Sequence, residues 1–193
     1  MMDVDGVLVA TTRFAGRWDR DMEADLGVSP DDLQRAFFTP HFRAIVLGHE
    51  PIEPWLGKAL AEIAPQVTAE AMLAYWFAKD AELDHRLLAD LATYRARGIG
   101  LHLATVQEHR RAAHLWTGLG FQDHFDGLHH SAAVGAAKPD PAYYSAVQDR
   151  VGLSAEDLLL VDDSERNVEA AREAGWQARL WTGEHRLAEV LGF

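Results

Sequence analysis

The sequence predicts an α/β protein with a doubly wound, parallel, Rossmann-like sheet, and three observations indicate this class. Short apolar runs alternate with helical patterns from about residue 84 onwards. A further apolar run at residues 1–9 precedes a long all-helical stretch, residues 11–84. Polar residues follow several of the apolar runs directly. Because the carboxyl ends of parallel strands meet at one edge of the sheet, we expect those polar residues to share a crevice.

The first part of the chain is predicted to hold a strand and then only helices. The run at residues 1–9 is interpreted as a buried strand that breaks into a turn at Gly6. Ser29 followed by Pro30 indicates a helix start, because Ser caps helices and Pro fits the first helical position. Thr68 is expected to cap a helix over residues 69–79, and another helix is expected over residues 54–64.

Strands and helices then take turns to the end of the chain. Predicted strands lie at the apolar runs 99–104, 125–129, 158–161 and 178–181. Predicted helices lie at residues 84–98, 107–117, 143–150 and 167–174.

Composition limits the class of protein. With 193 residues, 48% of them hydrophobic, the chain is able to fill one core or a core with a small accessory domain. The absence of cysteine excludes disulfides and a thiol nucleophile. A formal charge of −12 disfavours nucleic acid and anionic lipid as partners, because Lys and Arg clusters bind both. Without an apolar run of about 20 residues or a signal-like start, we expect a cytoplasmic protein with no membrane contact.

Four short fragments carry the chemistry: residues 3–6, 103–105, 138–140 and 161–164. Their carboxylates are suited to share one divalent cation, since such ions prefer oxygen ligands. The Thr hydroxyl and the Lys ammonium suit the free oxygens of a phosphate group. Together the fragments predict a phosphoryl-transfer site.

In the first fragment, Asp3 and Asp5 are two residues apart and so leave a strand end on the same side, while Gly6 permits a sharp turn. One acid is able to stay ionised as a nucleophile while the other donates a proton to a leaving oxygen. A pair of turn-forming acids is the alternative. An EF-hand loop is excluded, because its sixth and twelfth positions hold Leu8 and Phe14 rather than Gly and Glu.

The second and third fragments offer anion-binding groups. Thr105 follows an apolar run, and its hydroxyl is expected at a strand end that opens into a helix. A Thr that only caps this helix is the alternative. Lys138 stands before a rigid turn at Pro139, which sets the direction of its side chain. A solvated surface Lys is the usual alternative.

The fourth fragment predicts a cation site. Asp162 and Asp163 end a very apolar run, and two acids there are costly unless a positive charge lies beside them. Magnesium (Mg2+) would supply that charge. Ser164 and Asn167 are expected to cap the following helix.

With these fragments in this order, the sequence resembles the haloacid dehalogenase (HAD) superfamily of hydrolases, in the subfamily IA-like branch with a small helical cap after the first strand. The resemblance implies a core domain of residues 1–10 and 85–193, with a cap domain of residues 11–84. Only Met1 and Met2 precede Asp3. We therefore expect either a short first strand or a natural start further upstream.

The resemblance also implies roles for single residues. Asp3 would be the nucleophile that forms an aspartyl-phosphate, and Asp5 the acid that protonates the leaving alcohol and then activates water. Asp3, the backbone carbonyl of Asp5, and Asp163 would bind magnesium. The substrate contacts are expected from Gly6, Thr105, Val106 and Lys138. Asp162, Ser164 and Asn167 would stand behind the residues that touch the ion.

These observations favour a magnesium-dependent phosphatase acting on a small phosphorylated metabolite, as a monomer or homodimer. A phosphomutase and a metal-independent 2-haloacid dehalogenase are alternatives on the same fold. Asp5 favours the phosphatase, because the dehalogenases generally lack this second acid. A receiver-like switch that accepts phosphate without turnover is the non-enzymatic alternative, although there the Lys comes last and here Lys138 precedes the acidic pair.

Overall fold

A computed structural model describes residues 1–192. Four short strands form the sheet: β1 (His102–Thr105), β2 (Gly127–His130), β3 (Leu159–Asp162) and β4 (Gln177–Leu180). β1 pairs with β2 and β3 pairs with β4, both in parallel. Met2 lies between the two pairs and forms parallel bridges to Leu103 and to Val161. The α/β fold with a parallel Rossmann-like sheet is therefore confirmed.

The N-terminal strand is much shorter than the apolar run at residues 1–9. The Met2 amide donates to the His102 carbonyl at 2.8 Å, and the Asp3 amide donates to the Val161 carbonyl at 2.9 Å. The chain then turns, because the amides of residues 7–9 all donate to the Val4 carbonyl. The short first strand and the turn after it, both expected from the sequence, are confirmed. The apolar residues 4–9 belong to the turn, since its hydrogen bonds take the place of sheet pairing beyond Asp3.

Helices cover most of the remaining chain. Before the sheet they are Thr11–Phe14, Met22–Leu26, Pro30–Leu33, Thr39–Val46, Ile52–Ile63, Ala69–Lys79 and His85–Arg95. After β1 they are His109–Ala113, Ser131–Val134, Pro141–Val151, Glu165–Glu173 and Leu187–Leu191. The single π-helical turns Gln34–Phe38 and His114–Gly118 extend two of them. The last helix was not predicted, although buried Leu187 anchors it to the core.

Side-chain caps explain where three predicted helices begin. The Ser29 hydroxyl accepts from the Asp32 amide at 3.4 Å, and the Thr68 hydroxyl accepts from the Ala71 amide at 3.1 Å. The Asp84 carboxylate accepts from the Leu87 amide at 2.9 Å. Each cap satisfies an amide that has no partner within its own helix, which confirms these three starts.

The helical segment has its own hydrophobic cluster, whose buried members all lie between Met22 and Phe77. An antiparallel bridge between Val9 and Leu83 brings the two ends of this segment together. The domain boundaries at residues 10/11 and 84/85 stay a prediction, and the separate cluster is consistent with them. Among residues 1–192, no helix is long and apolar enough to cross a membrane.

Candidate active site

A cavity of about 410 Å³ opens at the carboxyl ends of the central strands. It brings together eight of the ten predicted site residues; Asp162 and Ser164 lie outside its lining. Its lining consists of Asp3, Asp5, Gly6, Thr12, Thr105, Val106, Lys138, Asp163 and Asn167. Four fragments far apart in the sequence therefore meet at one place, as the parallel sheet predicts.

Asp3 lies between the sheet and a buried ammonium group. Lys138 Nζ is 2.9 Å from Asp3 Oδ1 and 2.5 Å from Asp162 Oδ2. Burial works against the charge on Lys138, but the two carboxylates outweigh burial and raise its pKa. Burial is also the main cause that raises the pKa of Asp3, to about 7, although Lys138 opposes it. Asp3 therefore needs further positive charge to be fully ionised at neutral pH.

Asp162 is completely buried and both of its oxygens are occupied. Oδ2 faces Lys138, while Oδ1 accepts from the Ser164 amide at 2.9 Å and from Asn167 Nδ2 at 3.0 Å. Asp162 thus holds Lys138 and the start of the next helix in place. The predicted helix cap by the Ser164 side chain was wrong, because Ser164 makes no side-chain cap bond and contributes its amide instead.

The donor set fits a hard divalent cation. One carboxylate oxygen from each of Asp3, Asp162 and Asp163 lies within 4.8 Å of the other two. Burial, followed by the charge of Asp162, raises the pKa of Asp163. Burial, and then the charge of neighbouring acids, disfavours the ionised forms of Asp3 and Asp163, and a bound cation would offset both effects. Lys138, the Ser164 amide and Asn167 occupy both oxygens of Asp162, and Lys138 also contacts Asp3 Oδ1. The oxygens that face no such partner are Asp3 Oδ2 and those of Asp163.

Gly6 allows Asp163 to approach the first fragment. Gly6 has a φ of +76°, in the region that favours glycine, and its amide donates to the Val9 carbonyl at 2.8 Å. A Cβ atom at residue 6 would lie 2.0 Å from Asp163 Oδ2. The absence of a side chain at Gly6 is therefore a condition for the close approach of the first and fourth fragments.

Asp5 is exposed to the cavity and has a partner that sequence analysis missed. Gln107 Nε2 donates to Asp5 Oδ2 at 2.7 Å. The pKa of Asp5 is raised, mainly because protein surrounds the carboxyl group, while nearby Arg111 opposes the shift. A raised pKa suits a proton donor. The sequence position of Gln107 could have indicated that it lies near the site. It stands two residues after Thr105, and in an extended chain side chains two residues apart point to the same side.

Thr105 does not cap the helix that follows it. That helix starts at His109, and its cap is the Glu108 carboxylate, which accepts from the Arg110 and Arg111 amides. Buried Thr105 instead lines the cavity, and half-buried Val106 beside it does the same. Thr12 of the helical segment also lines the cavity, and the sequence analysis had not singled it out.

Comparisons with known proteins place the chain in a family. The family model of haloacid dehalogenase-like hydrolases matches residues 1–175. A phosphoglycolate phosphatase of Yersinia pestis is 31% identical over 127 residues, covering 63% of this chain and 53% of that protein. One of Rhodospirillum rubrum is 36% identical over 88 residues, covering 46% and 36% respectively. The chain thus spans about half the length, or less, of these curated relatives.

Solved structures agree on the fold. A HAD family enzyme of Bacteroides thetaiotaomicron, crystallised as a magnesium complex, superimposes with a TM-score of 0.82. The match covers 98% of this chain and 96% of that one at 18% sequence identity. Because the family model spans nearly the whole chain and the fold agrees with it, this protein belongs to the haloacid dehalogenase-like hydrolases.

Proposed function

We propose that this protein is a magnesium-dependent phosphatase that hydrolyses a small phosphorylated metabolite through an aspartyl-phosphate on Asp3. One observation carries the proposal: Asp3 shares a cavity with Lys138, with the second acid Asp5 and with Asp163, whose oxygen comes within 4.8 Å of an Asp3 oxygen. This is the set of charges that phosphoryl transfer requires, namely a nucleophile, a proton donor and fixed cations.

Magnesium, held by Asp3, Asp163 and the backbone carbonyl of Asp5, would neutralise charge on the phosphate oxygens. The first step then belongs to the chain's own residues. An Asp3 carboxylate oxygen attacks phosphorus, the bond from phosphorus to the ester oxygen breaks, and Asp5 gives its proton to that oxygen. Thr105 and Lys138 hold the free phosphoryl oxygens.

The second step regenerates the enzyme. Asp5, now ionised, takes a proton from water, and the water oxygen attacks phosphorus. The bond between phosphorus and Asp3 breaks, which releases inorganic phosphate and the Asp3 carboxylate. Asp5 is again protonated and ready for the next turnover.

The size of the cavity and the names of the relatives support a small substrate. About 410 Å³ is within the usual range for a small-molecule site. Two of the curated relatives are phosphoglycolate phosphatases, and a third, from Thermotoga maritima, is a phosphorylated carbohydrates phosphatase. We therefore propose phosphate esters of small hydroxy acids and sugars as the substrate class.

The test is hydrolysis of 4-nitrophenyl phosphate by the purified protein, with magnesium and with a chelator. We expect turnover that requires both magnesium and Asp3, so that Asp3→Asn is inactive. The matched control is Asp149→Asn, because Asp149 is an exposed acid on the helix Pro141–Val151 and does not line the cavity. Metal-free halide release from a 2-haloacid would instead select the dehalogenase, and stable labelling without turnover would select the switch.

A further inference from the structure

We propose that Gln107 is a positioning residue that aims the proton of Asp5 at the leaving group. The inference rests on the proposed function, because it assigns Asp5 as the acid. Gln107 is buried behind the site and is absent from the cavity lining, so it would act through Asp5 rather than on the substrate.

The Gln107 side chain is the hydrogen-bond donor to Asp5 in this structure. Its Nε2 lies 2.7 Å from Asp5 Oδ2, a short distance typical of a bond to a carboxyl group, and 3.4 Å from Thr105 Oγ1. The second contact is at the limit for a hydrogen bond and is weak. The amide is therefore directed mainly at the carboxyl of Asp5.

The backbone of Gln107 is fixed from the other side. Its amide donates to Ser131 Oγ at 3.0 Å, and its carbonyl accepts from the Ala132 amide at 3.2 Å. Ser131 is fully buried, and its hydroxyl also lies 2.6 Å from the Val46 carbonyl of the helical segment. With both backbone groups held, the side chain of Gln107 starts from one defined position.

This contact decides which oxygen of Asp5 carries the proton. An oxygen that accepts an N–H bond takes the carbonyl role in a protonated carboxyl group, because a proton on it would face the donor. Gln107 occupies Oδ2 in this way and leaves Oδ1 to carry the proton. Asp5 itself is exposed to the cavity, where the ester oxygen would lie.

The test uses leaving groups of different basicity. A 4-nitrophenolate leaves with little help from an acid, whereas the alkoxide of an alkyl phosphate such as 2-phosphoglycolate needs a proton. We therefore compare kcat/KM on both esters for the magnesium-loaded enzyme and for Gln107→Leu. If the Asp5 proton is no longer directed at the leaving group, kcat/KM should fall at least about tenfold more for the alkyl ester than for the aryl ester. General acid catalysis contributes a rate factor of about 10²–10⁴.

A double-mutant cycle shows whether Gln107 works through Asp5. In an Asp5→Ala background no acid is left to position, so adding Gln107→Leu should change the alkyl-ester rate less than threefold. Gln107→Met is the second variant, because it keeps the length of the side chain and removes the donor, and it should show the same selective loss on the alkyl ester. The control is Gln148→Leu, which removes a half-buried Gln that accepts from Trp176 and does not line the cavity. This variant should affect both esters equally.

Two outcomes would overturn the inference separately from the function. Equal losses on both esters in an active enzyme, or a full additional loss in the Asp5→Ala background, would show that Gln107 has only a structural role. A wild-type protein that hydrolyses neither ester would overturn the proposed function, and the inference with it.

Discussion

Gly6→Ala should weaken magnesium binding as well as folding, because the added methyl group points at Asp163. The Cβ atom would lie 2.0 Å from Asp163 Oδ2 and 2.7 Å from its Cγ, whereas real Cβ contacts essentially never fall below 3.0 Å. The carboxylate must therefore retreat by about 1 Å or more, the difference between 2.0 and 3.0 Å. It would then leave the position from which, under the proposed function, it would share an ion with Asp3.

The effects on folding and on magnesium binding are similar in free energy but have different origins. An alanine at the φ of +76° costs about 1–2 kcal/mol in the free energy of unfolding, because a Cβ atom is strained in the left-handed region. Displacing a ligand by altering its support typically weakens metal affinity by about 10- to 100-fold. We expect the magnesium concentration for half-maximal activity to rise by that factor.

Gly152→Ala is the matched control. Gly152 has a φ of +72° at the end of a helix, and a Cβ atom there meets nothing within 4 Å. Both variants should lose similar stability in urea unfolding without metal. In a magnesium titration of initial rates with 4-nitrophenyl phosphate, only Gly6→Ala should shift. An unchanged magnesium requirement in Gly6→Ala would refute the argument that the contact with Asp163 controls the ion.

Three further predictions concern buried groups. Lys138→Met leaves the buried Asp162 carboxylate unpaired, so turnover should be lost and the free energy of unfolding should fall by about 3 kcal/mol in urea titrations. The hydrogen bond from Arg186 holds the pKa of Asp90 below its usual range. Ionised Asp90 therefore stabilises the fold at pH values above the pKa that it has in the unfolded chain, and this stabilisation is lost as the pH falls through its pKa in the folded protein. Asp90→Asn should cost about 1 kcal/mol at pH 7, because solvent screens half-exposed Arg186, and much less near pH 3. Phe37→Ala should cost about 3–5 kcal/mol by thermal unfolding, because Phe37 is buried in the helical segment.

Each of these has its own control. Lys138→Met with Asp162→Asn should recover part of the lost stability and no activity; a double variant less stable than the single one would contradict the pairing argument. A loss in Asp90→Asn that does not change with pH would show that charge is not its cause. Phe37→Leu should cost much less than Phe37→Ala, and equal losses would argue against a packing effect.

Sequence analysis could predict the layout of the site because its signals are local. An apolar run followed by an acid or Thr marks a strand end, and parallel strand ends meet at one edge whatever the details of packing. For this reason Asp3, Thr105 and Asp163 were expected in one crevice, where the structure places them. Lys138 was expected there from the turn at Pro139, and it lies between two helices rather than at a strand end. The helix cap at Thr68 could also be predicted, because capping depends on residues that are neighbours in the chain.

Other features were decided by contacts between distant segments. The two residues before Asp3 are too few to show the sequence pattern of a strand. Met2 nevertheless lies at the centre of the sheet, because it pairs with the strands on both sides. The link from Gln107 to Asp5 spans 102 positions in the sequence. The close approach of Gly6 and Asp163 likewise joins the two ends of the chain.

By itself, the amino-acid sequence determined the residue types of the site, the order of the fragments and the edge of the sheet where they meet, since these follow from local periodicity and the geometry of parallel strands. Only the tertiary structure decided that Asp162 pairs with Lys138, that Asp163 stays available for a cation, and which oxygen of Asp5 is occupied. Those outcomes depend on distances of a few ångströms between side chains far apart in sequence, and packing sets such distances.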